Sequence, residues 1–378
     1  YNDISAMSRL HRSASAQMSR PAISIQSGGG WTFGSPSVLM MFYRAPGELE
    51  RELLEMDECM PHYYQVTNHH GQGAETIMRA EALFCQGCFT DAHIELERAY
   101  AQVKDNGQVN MALCCDFLSR RLSRYTDVEQ RYTFAERYAE LLRYHDTAWI
   151  NLWSATSAYY HALRGETGKI PEIFSQHRLS TVNMLAPGKP MMEMIENQVY
   201  LAEGAYAKVI GRSAELLAVC GAMHYALVAL HLRIQTAAAY EKLGKTEEAR
   251  AWLEKALSDA APDGLVMPFL ENYDYIRPLL ARETQSLLAA QIMALGEAAK
   301  ARNTASTRPA VFDALTTREY EIVELMGQRL SNREIAERLY LSEGSVKQYV
   351  NQIYSKLHIE GDTRTKRTQL AALLRQKT

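Results

Sequence analysis

Between about residue 48 and residue 300 the chain reads as helix almost without interruption, broken only by short stretches that contain glycine or proline. Within it, Gly87, Gly165, Gly204 and Gly244 recur at intervals of 78, 39 and 40 residues. One period of about 39 residues fits all three, with a turn lacking glycine near Tyr125-Thr126-Asp127. Such a period marks stacked helical hairpins, because one hairpin cannot bury its apolar face alone and its neighbours supply the rest of the core. The competing reading is a helical bundle without repeats.

The clearest unit is residues 231–257, HLRIQTAAAYEKLGKTEEARAWLEKAL. Leu232, Ala239, Leu243, Ala249, Leu253 and Ala256 fall on the packing faces of two helices, and Gly244 takes the turn between them. Small residues at a helix crossing, a glycine turn and a second amphipathic helix form a tetratricopeptide-like signature. The expected fold is all-α: about four to six hairpins in a right-handed superhelical solenoid with a concave face, followed by a separate C-terminal domain. The chain therefore divides into an irregular N-terminal segment (1–47, a remnant or linker), a helical-repeat sensor and oligomerisation domain (48–300), a Ser/Thr/Pro-containing linker (301–314) and the C-terminal domain (315–378). In 1–47, Gly28-Gly29-Gly30 with Pro21, Pro36 and Pro46 argue against any long helix. The triple glycine lacks the Gly-Lys-Ser/Thr that would hold phosphates and magnesium, so it is not read as a nucleotide loop.

No run approaches the roughly eighteen apolar residues of a membrane span, and six cysteines in helical text fit a reducing cytoplasm. Cys85 and Cys88 straddle the Gly87 turn and are read as packing rather than as a zinc or redox pair; His69-His70 is read as an exposed loop. Tyr63, Tyr64, Tyr100, Tyr159, Tyr160, Tyr200, Tyr206 and Tyr240 either pack or line a ligand groove.

The formal net charge of −3 conceals a basic end: from Gly344 onward seven basic residues face Glu360 and Asp362, giving +5. Residues 315–378 can be read turn by turn. Thr316 with Glu319, and Ser331 with Glu334, form capping boxes that open two short helices. Ile322, Val323 and Met326 face a core, as do Ile335, Ala336 and Leu339, and Gly327 lies near the end of the first helix. Leu341-Ser342-Glu343 is the turn, and Gly344 begins a third helix, which makes a helix-turn-helix. There Val346, Val350, Ile353 and Leu357 form a core stripe, while Gly344, Gln348, Asn351 and Ser355 point the opposite way, flanked by Lys347 and Gln352. That face carries no acid. Gln and Asn suit adenine N6 and N7, Lys suits guanine O6 and N7, and glycine and serine at the helix start admit phosphates to backbone N–H groups.

The segment LTTREYEIVELMGQRLSNREIAERLYLSEGSVKQYVNQIYSKLHI, residues 315–359, closely resembles the DNA-binding domain of LuxR-type regulators. The resemblance rests on Leu315-Thr316, Arg318-Glu319, Ser331-Asn332, Glu334-Ile335-Ala336, Val346-Lys347 and Lys356-Leu357. Upstream, SPSVLMMFYRAPGELERELLEM and the repeats look like the region that precedes this domain in large MalT-like ATP-dependent regulators. The resemblance implies a four-helix DNA-binding domain, a homodimer on major-groove DNA, and an effector or partner protein acting on the repeats. It also implies an N-terminal ATPase module; no Walker motif occurs here, so the chain itself is expected to hold no cofactor, with ATP reached only through a module that lies outside it or is lacking. Ser345 and Tyr349 stand where the family usually has Thr and His; the serine keeps a hydroxyl, and the tyrosine packs while offering its OH to a phosphate. After Ile359, EGDTRTKRTQLAALL is longer than the family's usual loop, which leaves open the place of the final helix, often the dimer contact. Arg364, Lys366 and Arg367 there are read as added backbone contacts, and Ser331 and Asn332 join the expected interface. The reading is a cytoplasmic transcriptional regulator without enzymatic activity; the alternative is a helical-repeat scaffold that does not read DNA sequence.

Overall fold

The computed structural model describes residues 3–19, 36–105, 109–126, 130–182, 186–306, 310–312, 315–328, 330–339, 341–359 and 361–375. Gly28-Gly29-Gly30 and Asp127 lie outside them. Among the described residues all regular secondary structure is helical. The chain forms two compact units, Tyr1–Glu297 and Ala298–Thr378.

In the first unit, α1 (Ile4–Gln17) is a fourteen-residue helix opened by Asp3, whose carboxylate accepts from Ala6 N at 2.8 Å. This corrects the expectation of an irregular segment over 1–47. The prolines and glycines that break helices there begin at Pro21, so residues 4–17 contain none. Helix α1 packs on α3 (Leu49–Thr67), where His11 meets Tyr63 edge-on at 5.0 Å. All five residues of α2 (Val38–Phe42) are buried, and this helix packs on α4 (Ala74–Cys85) and α12 (Ala226–Lys242).

The hairpins follow. They comprise α4 (Ala74–Cys85) with α5 (Phe89–Asp105), then α6 (Val109–Leu122), α7 (Phe134–Leu141) and α8 (Thr147–Leu163). The short α9 (Glu172–Ser175) leads to α10 (Lys189–Ala202) with α11 (Tyr206–Met223), then to α12 (Ala226–Lys242) with α13 (Thr246–Ala260). The unit ends in α14 (Met267–Leu270), α15 (Tyr273–Leu280) and most of α16 (Leu287–Ser306).

All four turn glycines adopt left-handed backbone, with φ of 82°, 68°, 76° and 71° at Gly87, Gly165, Gly204 and Gly244. After each, the next residue donates its N–H to the carbonyl five positions back: Cys88 to Leu83, Glu166 to His161, Ala205 to Tyr200 and Lys245 to Tyr240, at 2.8–3.0 Å. This is the Schellman closure that satisfies the last carbonyls of a helix. Asn68, His145, His177 and His224 take the same left-handed conformation at other helix ends, which a search for glycine does not find. Leu232, Ala239, Ala249, Leu253 and Ala256 are buried as expected, but Leu243 is 46% exposed because it has already entered the turn.

Bonds between residues far apart in the chain tie the early helices of this unit to its late ones. Val266 N donates to Cys85 O at 2.8 Å, Ala226 N to Tyr43 O at 3.1 Å, and Tyr43 OH to Asp263 at 2.6 Å. The first helices of the unit thus close against its last ones. Helices α6, α10 and α12 are buried on nearly every side. In their midst Arg121 pairs with Glu271 through Nε–Oε1 at 2.6 Å and Nη2–Oε2 at 3.1 Å, and Tyr159 OH donates to Glu271 at 2.9 Å. Burial opposes the charge on Glu271, but the Arg121 guanidinium outweighs it and holds the carboxyl below its ordinary range. His231, fully buried 3.9 Å from Glu271, is pushed down to about 4 chiefly by burial.

The eight tyrosines do not share one groove. Tyr63, Tyr100, Tyr159 and Tyr200 are buried, with Tyr100 OH bonded to Asp116 at 2.7 Å. Cys85 is buried and Cys88 exposed, on either side of the turn. His70 meets the Tyr63 hydroxyl at 3.3 Å. The expected linker 301–314 also differs. Helix α16 continues to Ser306, since no glycine or proline follows Gly296 before Pro309, and Phe312 is fully buried in the core of the second unit.

Candidate nucleic-acid interface

The second unit ends in four helices: α17 (Thr317–Gly327), α18 (Asn332–Leu339), α19 (Glu343–Lys356) and α20 (Thr363–Arg375). Both capping boxes are formed. Glu319 accepts from Thr316 N at 2.7 Å and returns its own N–H to Thr316 Oγ1 at 3.3 Å. Ser331 and Glu334 make the same exchange at 2.7 and 3.3 Å. Lys356 Nζ also donates to Glu319 at 2.7 Å, fastening the end of α19 to the start of α17. Burial opposes the charge on Glu319, yet this bond and those from Thr316 outweigh it and lower its pKa. Arg318 Nη2 donates to Leu339 O at 2.8 Å, satisfying a carbonyl at the end of α18.

These ties fix the attitude of α19. Val346, Val350 and Ile353 are buried together with Ile322, Val323, Ile335 and Ala336, and Leu357 packs against them. Tyr354 joins this core, which the four-three-four spacing had not included. On the other side Gly344, Lys347, Gln348, Asn351, Gln352 and Ser355 are all exposed. Six of the thirteen expected contact residues therefore share one solvent-facing strip of one helix.

The rest are placed differently. Helix α19 begins at Glu343, one residue earlier than expected, because Ser342 is its N-cap: Ser342 Oγ accepts from Ser345 N at 3.0 Å. Ser345 is half-buried, its hydroxyl 2.8 Å from that of Ser342 and thus engaged at the cap. Sequence reasoning assigned Ser342 to the turn, although Ser-x-x-Ser was its signal. Tyr349 is half-buried against the core. Ser331 is exposed but committed to its capping box through both backbone and hydroxyl. Asn332 accepts from Arg367 Nη2 at 3.2 Å, tying α20 to the start of α18, and Lys366 Nζ lies 5.6 Å from the Tyr354 ring centroid. Two of the basic residues after Ile359 are thus engaged inside the domain. Arg364 lies on α20, and its side chain is outside the described residues.

The longer segment after Ile359 still delivers a final helix to the core. Leu370 is buried, and Leu374 rides so close to α17 that a Cβ on Gly327 would lie 2.6 Å from its Cδ1. Gly327 serves this close approach rather than a left-handed cap.

The family model described as bacterial regulatory proteins, luxR family (GerE) matches residues 313–368. The C-terminal unit carries a luxR-family regulatory domain. The transcriptional regulatory protein LnrK of Bacillus subtilis (strain 168) is 49% identical over 49 residues, which are 13% of this chain and 22% of LnrK. The chain thus matches about a fifth of the length of that curated relative. No solved structure matches. The luxR-type match ends at residue 368, within α20. Among the described residues no helix is long and apolar enough to cross a membrane.

Proposed function

We propose that this chain is a cytoplasmic transcriptional regulator that reads double-stranded DNA in the major groove with α19, as a homodimer, and that residues 36–297 sense an effector or partner. The exposed, acid-free strip of α19 carries this reading. A solvated helix normally alternates acids and bases there, whereas Lys347, Gln348, Asn351, Gln352 and Ser355 are an array of exposed hydrogen-bonding groups without side-chain partners among the described residues. Gln348 and Asn351 would take adenine edges and Lys347 guanine. Glu343, the only acid in the helix, stands in its first turn, at the edge of the strip and next to the positive end of the helix dipole. One such helix covers a single half-site, so two domains are paired on DNA. The luxR-type match, and the likeness to a transcriptional regulatory protein, LnrK, support the same reading.

The experiment selects a preferred duplex from a random pool and measures its affinity for Gln348→Ala and Asn351→Ala. Each should weaken the selected site by about 1–3 kcal/mol while leaving affinity for random DNA unchanged. Equal loss on both kinds of DNA would make these side chains positional, and no loss would remove α19 from the base edges.

A further inference from the structure

Between α11, the start of α12, α13 and the strap 43–46 lies a cavity of about 290 Å³, at the lower end of the range found for small-molecule sites. Its inner wall is apolar: Leu217 and Cys220 from α11, Tyr225 at the head of α12, and Ala229 and Leu230 from α12 itself. Its charged groups are Arg44 from the strap, Arg233 from α12, and Lys255 and Asp259 from α13. Asp259 stands between two of the cations, 3.0 Å from Arg233 Nη1 and 2.6 Å from Lys255 Nζ. Arg44 approaches Asp3 at 3.8 Å and its backbone N–H donates to both oxygens of Glu52 at 3.1 Å, while its buried Nε has no hydrogen-bond partner among the described residues. Asp259, the one carboxylate among the lining residues, is already shared by Arg233 and Lys255, which leaves the Arg44 Nε without an acceptor in the cavity.

A second observation concerns Gly221, on the α11 wall. Its φ is not left-handed, and a Cβ built there would meet nothing within 4 Å. Neither a turn nor a close approach calls for glycine at this point inside a helix, where alanine would be more stable. Gly221 is exposed beside the cavity, so a bulky side chain placed there has room to lie over it.

We propose that this cavity binds a small organic anion, a carboxylate or phosphate monoester that carries an apolar group. The anion lies on Arg44, Arg233 and Lys255, and the apolar group lies on Leu217, Cys220, Tyr225 and Leu230. As an effector site the proposal rests on the reading that residues 36–297 sense a ligand. The strap gives it a mechanical sense: Tyr43 already bonds to Ala226 and Asp263, and Asp263 also accepts from Gly47 N at 2.5 Å. An anion that bridges Arg44 to Arg233 would clamp the first helices of the unit to its last hairpin.

The test uses the full chain and calorimetric titration with phenylacetate and phenyl phosphate, and with benzyl alcohol as the uncharged counterpart. At least one anion should bind saturably and more tightly than the alcohol, and the better of the two identifies the head group. Arg233→Gln should weaken it about tenfold to a hundredfold, the range for a charge-assisted contact, and Gly221→Phe should abolish binding with the circular dichroism spectrum retained. If neither anion outbinds benzyl alcohol, or if both variants bind as the wild type does, the proposal is overturned. Affinity for the selected duplex is then measured with and without saturating probe. Binding at this cavity without a change in DNA affinity keeps the site and refutes the sensing reading; a change that survives Gly221→Phe places sensing elsewhere and overturns this cavity as the effector site.

Discussion

Replacing Gly344 by alanine should make the protein more stable and a worse DNA binder at once. Gly344 is exposed in the first turn of α19 with ordinary helical backbone, and the nearest atom to a Cβ built there is Ser342 Oγ at 3.8 Å. Nothing inside the domain therefore resists alanine, and the helix gains about 0.5–1 kcal/mol from the lost backbone freedom of glycine. Gly296 is the internal control: a Cβ there would fall 2.5 Å from the Tyr273 ring, so Gly296→Ala should destabilise despite the same propensity gain. Hydrogen exchange of the α19 amides in the full chain reads the gain at Gly344 as slower opening. If DNA approaches the space that Gly344 leaves, the methyl intrudes on a packed interface at about 1–3 kcal/mol, roughly a five- to 150-fold loss of affinity. A Gly344→Ala protein that is stabilised and binds DNA as tightly as the wild type would refute the argument that this glycine exists for close approach.

Two further outcomes follow from buried and left-handed histidines. His231 in the fold lies near 4, below its ordinary 6.5 when unfolded, so the unfolded chain takes up the proton first and stability falls as pH drops through that window. Between about pH 7 and about pH 4.5 the wild type should lose about 2.5 kcal/mol more than His231→Leu in denaturant titrations; a constant difference between the two would show that His231 does not titrate this way. His358 and His177 share a φ of 52°, but only His177 is held by its ring, stacked on Tyr200 at 4.1 Å and bonded to Glu203 at 3.0 Å. His358→Gly should therefore stabilise by about 0.5–1 kcal/mol, whereas His177→Gly should destabilise by about 1 kcal/mol. Thermal melts of the two variants check this, and shifts of the same sign would contradict it.

What was legible in the sequence was what residues within one or two turns decide. Thr316 and Glu319, or Ser331 and Glu334, find each other three positions apart, and the spacing of Val346, Val350 and Ile353 defines both the buried stripe and the strip opposite it. The glycine turns were legible for the same reason, since left-handed backbone and its closing bond span six residues. Histidine at the alternate turns was not, because it tolerates that conformation without requiring it. Contacts across long stretches of chain left no local trace. Arg121 and Glu271 are 150 positions apart, and Arg367 meets Asn332 across 35, which withdrew one expected phosphate contact into the domain. Helix α1 was missed because the glycines and prolines of residues 20–47 were allowed to speak for the whole segment.

The buried pair Arg121 and Glu271, which joins α6 to the residue after α14, changes how the N-terminal unit comes apart. An open row of hairpins frays from its ends, each repeat leaving with only its neighbour's interface. Here the loss of α14 would strand the Arg121 charge in an apolar interior, and the loss of α6 would strand Glu271, each at about 3–5 kcal/mol. Neither α6 nor α14 can leave alone. The unit melts as one cooperative block, and its folding waits on pairings between residues some 150 positions apart.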